Sequence, residues 1–457
     1  MDARAFSAYR DEIARAETLL ARREHRAAFD LYGKLLQVRL GAGAALEIDA
    51  DMVVADRLAY LATLFGQEEA ADNLLAAMAA ASTEVGNRYS ADYYTIKRVL
   101  LALARGAITQ AHATLDTMSG SIGAVADLDI SEAGFSGWET ACGWPGTDAN
   151  GRATLFASLY LAFGQLLSAT GQYGPACIAI ARGLEHTGPG MPELARAHAV
   201  PMRIARAGVL LESGALSQAE DELGALRPAI DTTLHPGFHV DWLELAAKLH
   251  MLHGHFGAAL RRIEEVLEIA RDGGFPHAQV GAMLNLAHLR IALNQTAAAA
   301  EMLASARSAA RLLGDSAGEA RATQLLALAQ ARGRSFAADV PLAPSVTAMW
   351  DAAWHDASSN MEPDSDPELA DLPQPASFLA LFEDRALAVK CRLARYDARG
   401  ARTMLAQLRE VFEPSDSTLI CARFLVLEGI VAYYHQAWRD AESMVALKDL
   451  MAGLGST

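Results

Sequence analysis

The sequence predicts an all-α protein built as a solenoid of stacked helical hairpins, a superhelix interrupted by two acidic insertions. Three observations predict it. Apolar residues recur every three or four positions along most of the chain, the period of an amphipathic helix. The hydrophobic fraction of 52% comes largely from alanine and leucine, with few β-branched runs. One unit also returns at a fixed offset of 40 residues: Leu243-x3-Ala247, Gly254-x-Phe256-x2-Ala259, Ile263 and Val266 reappear as Met283-x3-Ala287, Asn294-x-Thr296-x2-Ala299, Leu303 and Ala306.

Each unit reads as helix, tight turn, helix. The turn residue sits where the backbone leaves the first helix through a left-handed conformation, and the small residue five positions later lets two helices approach closely. Turns fall at or near Arg23, Gly66, Gly106, Gly171, Gly214, Gly254 and Asn294. Their small markers are Ala28, Ala71, Ala111, Ala176, Ala219, Ala259 and Ala299, with separations of 43, 40, 65, 43, 40 and 40. The long gap is one unit plus an insertion. Ala338 continues the series after a turn at Gly333, until Pro341 and Pro344 interrupt its second helix, and Ala401 and Ala441 restore the spacing at the end. Since one hairpin cannot bury its own apolar face, the units must stack.

The pattern resembles the tetratricopeptide repeat family, most closely at Tyr160-x2-Phe163-Gly164-x2-Leu167 followed by Gly171-x-Tyr173-x2-Ala176. The resemblance implies a right-handed superhelix. It departs from the family's period of about 34 residues; about three more residues per helix supply the difference, as in the long repeats of bacterial signalling regulators. A HEAT-like array is the structural alternative. The expected domains are an array over 1–338 with an insertion near 119–151, an acidic, proline-rich linker over 339–376, and further helical repeats over 377–457.

The charge is local. Gly106 to Gly151 holds six acidic residues and Ser335 to Asp384 holds ten, neither with any lysine or arginine, so the rest of the chain balances and these windows carry the whole net charge of -16. They also carry Trp138 and Trp144, and Trp350 and Trp354. These aromatics either anchor each insertion to the array or stack on a cationic ligand. Such acidity disfavours nucleic acid.

Five lysines against thirty-four arginines read as the bias of a GC-rich bacterial genome. The four cysteines lie far apart, which indicates neither a zinc site nor disulfides, and the start of the chain has no signal-like apolar core, so a cytoplasmic location is expected. The uncharged run between Arg152 and Arg182 splits about Gly171, which argues for a buried central repeat rather than a membrane span. The last repeat ends without a polar capping helix, which leaves a surface for a homo-oligomer, a partner or a segment beyond Thr457.

No phosphate loop, zinc-protease helix or nucleophile elbow is present, and Gly41-Ala42-Gly43 is read as a loop between helices. His235, His239, His250, His253 and His255 cluster about one hairpin, but the geometry of a turn is poor for convergence on a metal. No cofactor is expected. In the resembled family the first helix of each repeat lines the concave face; mapping that face by register selects Arg57, Tyr60, Tyr93, Lys97, Gln165, Glu244, Lys248, Asn285 and His288 as ligand- or peptide-binding candidates. Some or all of these would otherwise be the solvated side of their helices. The expected function is a non-catalytic scaffold or regulatory module for a protein or peptide partner. The alternative is a sensor receptor for a small molecule or signalling peptide, whose superhelix changes curvature on binding.

Overall fold

A computed structural model of the chain describes residues 3–42, 48–119, 139, 147–232, 234–293, 295–335, 382, 386, 389, 398–412 and 418–434. They form α1 (Ala3–Ala21), α2 (His25–Ala42), α3 (Ile48–Phe65), α4 (Glu68–Glu84), α5 (Arg88–Ala104), α6 (Ile108–Ser119), α7 (Ala149–Ala169), α8 (Tyr173–Glu185), the single turn α9 (Glu193–Arg196), α10 (Ala199–Glu212) and α11 (Leu216–Leu226). After a 3-10 turn follow α12 (Pro236–Leu252), α13 (Phe256–Gly273), α14 (Pro276–Ala292), α15 (Thr296–Leu313), α16 (Ser316–Ser335), α17 (Ala398–Phe412) and α18 (Thr418–Tyr434). The described residues contain no strand.

The hairpin rule holds at every described turn. Gly66, Gly106, Gly171, Gly214 and Gly254 all take a positive φ, and Arg23 is the one non-glycine among the described residues to do so, at 63°. The residue after each turn donates its N–H to a carbonyl five back, as in Gln67 to Ala62, Gln172 to Leu167 and His255 to His250, which satisfies an otherwise orphaned helix-end carbonyl. The seven alanine markers from Ala28 to Ala299 are each the fourth residue of their helix, and none is more than 2% exposed. Ala401 obeys the same rule in α17. Asn294, Ala338 and Ala441 lie outside the described residues.

Three expectations shift in detail. Gly333 is not a turn: α16 runs through it to Ser335, a glycine in a helix costing only about 1 kcal/mol against alanine. Gly41 and Ala42 belong to the last turn of α2 rather than to a loop. At the edges of the segment near 119–151, Ser119 ends α6 and 149–151 open α7, capped by the Asp148 carboxylate on the Gly151 N–H at 2.7 Å.

The chain divides into two compact units: 1–209 with 221–242 and 269–278, and 210–220 with 243–268 and 279–457. This division does not fall at the acidic segment near 339–376; it passes inside α12, between Trp242 and Leu243. In the first unit, α3 packs on α5 and α5 on α7, so the insertion interrupts the chain between α6 and α7 without breaking the stack of first helices. Beyond Arg152 the uncharged stretch of α7 is buried on nearly all sides, from Ala153 to Leu167, and α7 touches α5, α6, α8 and α9, which is why this stretch is apolar nearly all round. Gly164 lets α8 come close: a Cβ there would sit 2.3 Å from Ile180 Cγ1. Among the described residues no helix is long and apolar enough to cross a membrane. In the second unit α15 packs on α16 and α17 on α18.

Candidate functional site

The first unit brings four of the register-selected side chains, Arg57, Tyr60, Tyr93 and Lys97, to a polar seam, together with residues the register did not select. On α3, Asp56, Arg57 and Tyr60 follow one another within a turn. On α5, Tyr93 and Lys97 stand four apart, and α7 supplies Thr154 and Ser158 at the same spacing. Lys97 is 4% exposed, so its ammonium needs partners. It donates to Asp56 Oδ1 and, at 2.8 Å, to Nε2 of the buried His198, while its Nζ lies 5.0 Å from the centre of the Tyr93 ring.

The imidazole tautomer follows from its neighbours. His198 Nδ1 faces the Leu194 carbonyl at 2.8 Å and must carry the proton, leaving Nε2 as the acceptor for Lys97. Burial, then the Lys97 charge, holds this histidine neutral down to about pH 4. Burial would raise the Asp56 carboxyl, but the Lys97 charge overrides it and keeps the carboxyl ionised well below the usual carboxylate range. Ser158 Oγ lies 3.0 Å from His198 Nε2 and 3.0 Å from the Thr154 carbonyl. Since the lone pair of Nε2 already receives Lys97, the serine proton goes to the carbonyl, and His198 does not act as its base.

A second set of bonds ties α3 to a distant segment. Arg57 Nε donates to Glu17 at 3.0 Å and NH1 approaches His235 Nε2 at 3.2 Å; Tyr32 donates to the same Glu17 oxygen at 2.8 Å. The Tyr60 hydroxyl accepts the Gly237 N–H in the first turn of α12, where a helix has no partner of its own to offer, and its ring packs on His235 and Phe238. A side chain at Gly237 would collide with Leu64 and Tyr60.

Beside this seam opens a cavity of about 790 Å³. Val53, Asp56 and Arg57 form one wall, the 86–89 turn into α5 a second, 147–154 at the start of α7 a third, and 192–197 a fourth. Its lining carries both signs of charge, Asp56, Asp148 and Glu193 against Arg57 and Arg88.

Of the remaining candidates, Gln165 lies partly buried on α7. In the second unit Lys248 is ion-paired with Glu212, Asn285 Oδ1 accepts from Arg321 at 3.0 Å, and burial raises the Glu244 carboxyl against the pull of Arg321. His288 lies half-buried on α14. Arg57, Lys97, Lys248 and Asn285 thus all hold intramolecular partners, and Tyr93 and Lys97 face the interior. His250 and His255 have ring centres 6.2 Å apart, and His253 and His255 6.1 Å, but among the described residues no three metal-donor side chains converge.

Trp138, Trp144, Trp350 and Trp354 lie outside the described residues. Their neighbour Glu139 is described, and it is bound by side chains of α7, α8 and the residue after α8. Arg182 binds it through two parallel bonds of 2.9 Å, Tyr160 donates at 2.7 Å, and His186 stands 3.2 Å away. Sequence reasoning missed Asp56, His198 and Glu139; the available signal was Lys97, a lysine in the apolar run of α5 that had to find a carboxylate. No protein-family model matches the chain, and no curated protein matches it either.

Proposed function

We propose that this chain is a non-catalytic binding protein of the long tetratricopeptide-like type, and that the cavity of its first unit receives a small polar ligand. The observation that carries this reading is the cavity itself: about 790 Å³, within the range of small-molecule sites, with fixed charged and hydrogen-bonding groups on several walls. The register-selected groups of that unit support it, because Arg57, Tyr60 and Lys97 are already engaged by Glu17, Gly237 and Asp56 rather than free for a peptide. A catalytic role gains no support from Ser158, which is wholly buried and hydrogen-bonded away from its histidine.

A scaffold for a protein or peptide partner is the second reading, favoured by one observation. In the second unit Arg321 binds Asn285 and acts on Glu244, while Lys248, four residues after Glu244 on α12, is paired with Glu212, so polar groups recur on neighbouring helices. Thermal unfolding of the full chain against a library of small polar metabolites separates the two. A receptor gains several degrees at ligand concentrations near 100 Kd, corresponding to about 2.7 kcal/mol. A chain that no compound stabilises, but that retains a macromolecule through Lys248 and Asn285, is the scaffold.

A further inference from the structure

Resting on the reading of the first-unit cavity as the ligand site, we infer that its ligand is a zwitterion of amino-acid or dipeptide size, with a free ammonium and a free carboxylate. The argument is one of charge and desolvation. Asp56 is held ionised by Lys97 behind it and is about a quarter exposed, facing the cavity. An apolar ligand would strip water from that carboxylate and return nothing, and a neutral hydroxyl or amide would return a weaker bond than an ammonium does. A ligand carrying only negative charge would meet Asp56, Asp148 and Glu193, and one carrying only positive charge would meet Arg57 and Arg88. Like-charge contacts of this kind are strongly unfavourable once water is excluded.

A zwitterion satisfies both sets. Its ammonium answers Asp56 or Glu193, and its carboxylate answers the guanidinium of Arg88, whose side chain is 46% exposed and lies 3.5 Å from Asp92 on its own helix. Room remains for a side group against Val53 and Leu194. Asp148 already accepts the Gly151 N–H as a helix cap and is less free to take part.

Isothermal titration of the full chain with each standard free amino acid and a set of Ala-X dipeptides, followed by their N-acetylated and C-amidated forms, tests the inference. The expected result is binding by at least one free compound that weakens roughly tenfold or more when either end is blocked. Arg88→Gln and Glu193→Gln, both at exposed positions that leave the fold intact, should each weaken the free compound roughly tenfold and erase the penalty for blocking one end. Ala197→Trp, also exposed, should fill the cavity and abolish binding while leaving unliganded stability unchanged. Blocked compounds that bind as tightly as their parents would overturn the zwitterion while the cavity reading stands. If none of these compounds binds while another polar metabolite stabilises the chain, the zwitterion falls and the cavity reading stands; if neither set has any effect, both fall.

Discussion

The Tyr60 hydroxyl accepts the Gly237 backbone N–H at 2.7 Å, a bond between residues 177 apart in sequence. It serves as the cap of α12 in place of a side chain from the helix's own start. Tyr60→Phe removes the acceptor and keeps the ring, so the expected cost is about 1 kcal/mol in equilibrium urea unfolding. Amide exchange at Gly237 should speed up in parallel; unchanged protection there would mean that the bond carries no weight.

Lys97 and Asp56 should behave as a buried pair. Lys97→Met leaves a half-buried carboxylate uncompensated and is expected to cost about 3 kcal/mol. Adding Asp56→Asn to it should recover much of that loss, since the double variant buries no net charge. A double-mutant cycle measures the coupling, and additive costs would contradict the network.

Acid should destabilise the fold through its buried histidines. His198 and His235 are both pushed down to about 4, by burial first and then by Lys97 and Arg57 respectively. In the unfolded chain they take up protons near 6.5. Between these values the unfolded state binds more protons, so stability is full above about pH 6.5 and falls as pH drops toward 4. His25 and His250 are shifted in the same direction, while the raised Glu244 opposes them near its own titration. A His235→Gln variant should show a shallower loss over that window in urea unfolding at stepped pH.

Gly164 marks a contact with no room to spare. Gly164→Ala places a methyl against Ile180 and should cost about 1–3 kcal/mol despite the better helix propensity of alanine. The pair Gly164→Ala with Ile180→Val should partly recover, because the shortened side chain yields the space.

The fold was legible wherever a single position answers a local demand. Ala71 or Ala176 must be small because a neighbouring helix crosses it, and Gly66 or Arg23 must turn because a helix ends there, so spacing alone exposed the hairpins. The site was legible only in part. Register selected Arg57, Tyr60 and Lys97 as polar positions on first helices, and in the first unit they meet at one seam. It could not reveal that Lys97 meets Asp56 and His198, or that Tyr60 meets Gly237, because those partners lie 41, 101 and 177 residues away. Pairings at that range depend on how many hairpins intervene and how long the insertion is, and no periodic pattern records either. The unexpected helix through Gly333 shows the opposite case, a local turn signal that the helix overrides.

The tie between Tyr60 and Gly237 also sets a clock on synthesis. At roughly 5–20 residues per second, the ribosome needs on the order of ten to thirty seconds to add the segment that α3 awaits. Through that interval the Tyr60 ring, Leu64 and Phe65 lack the partners Phe238 and Phe275, and an apolar strip of the nascent chain stays open to chaperones.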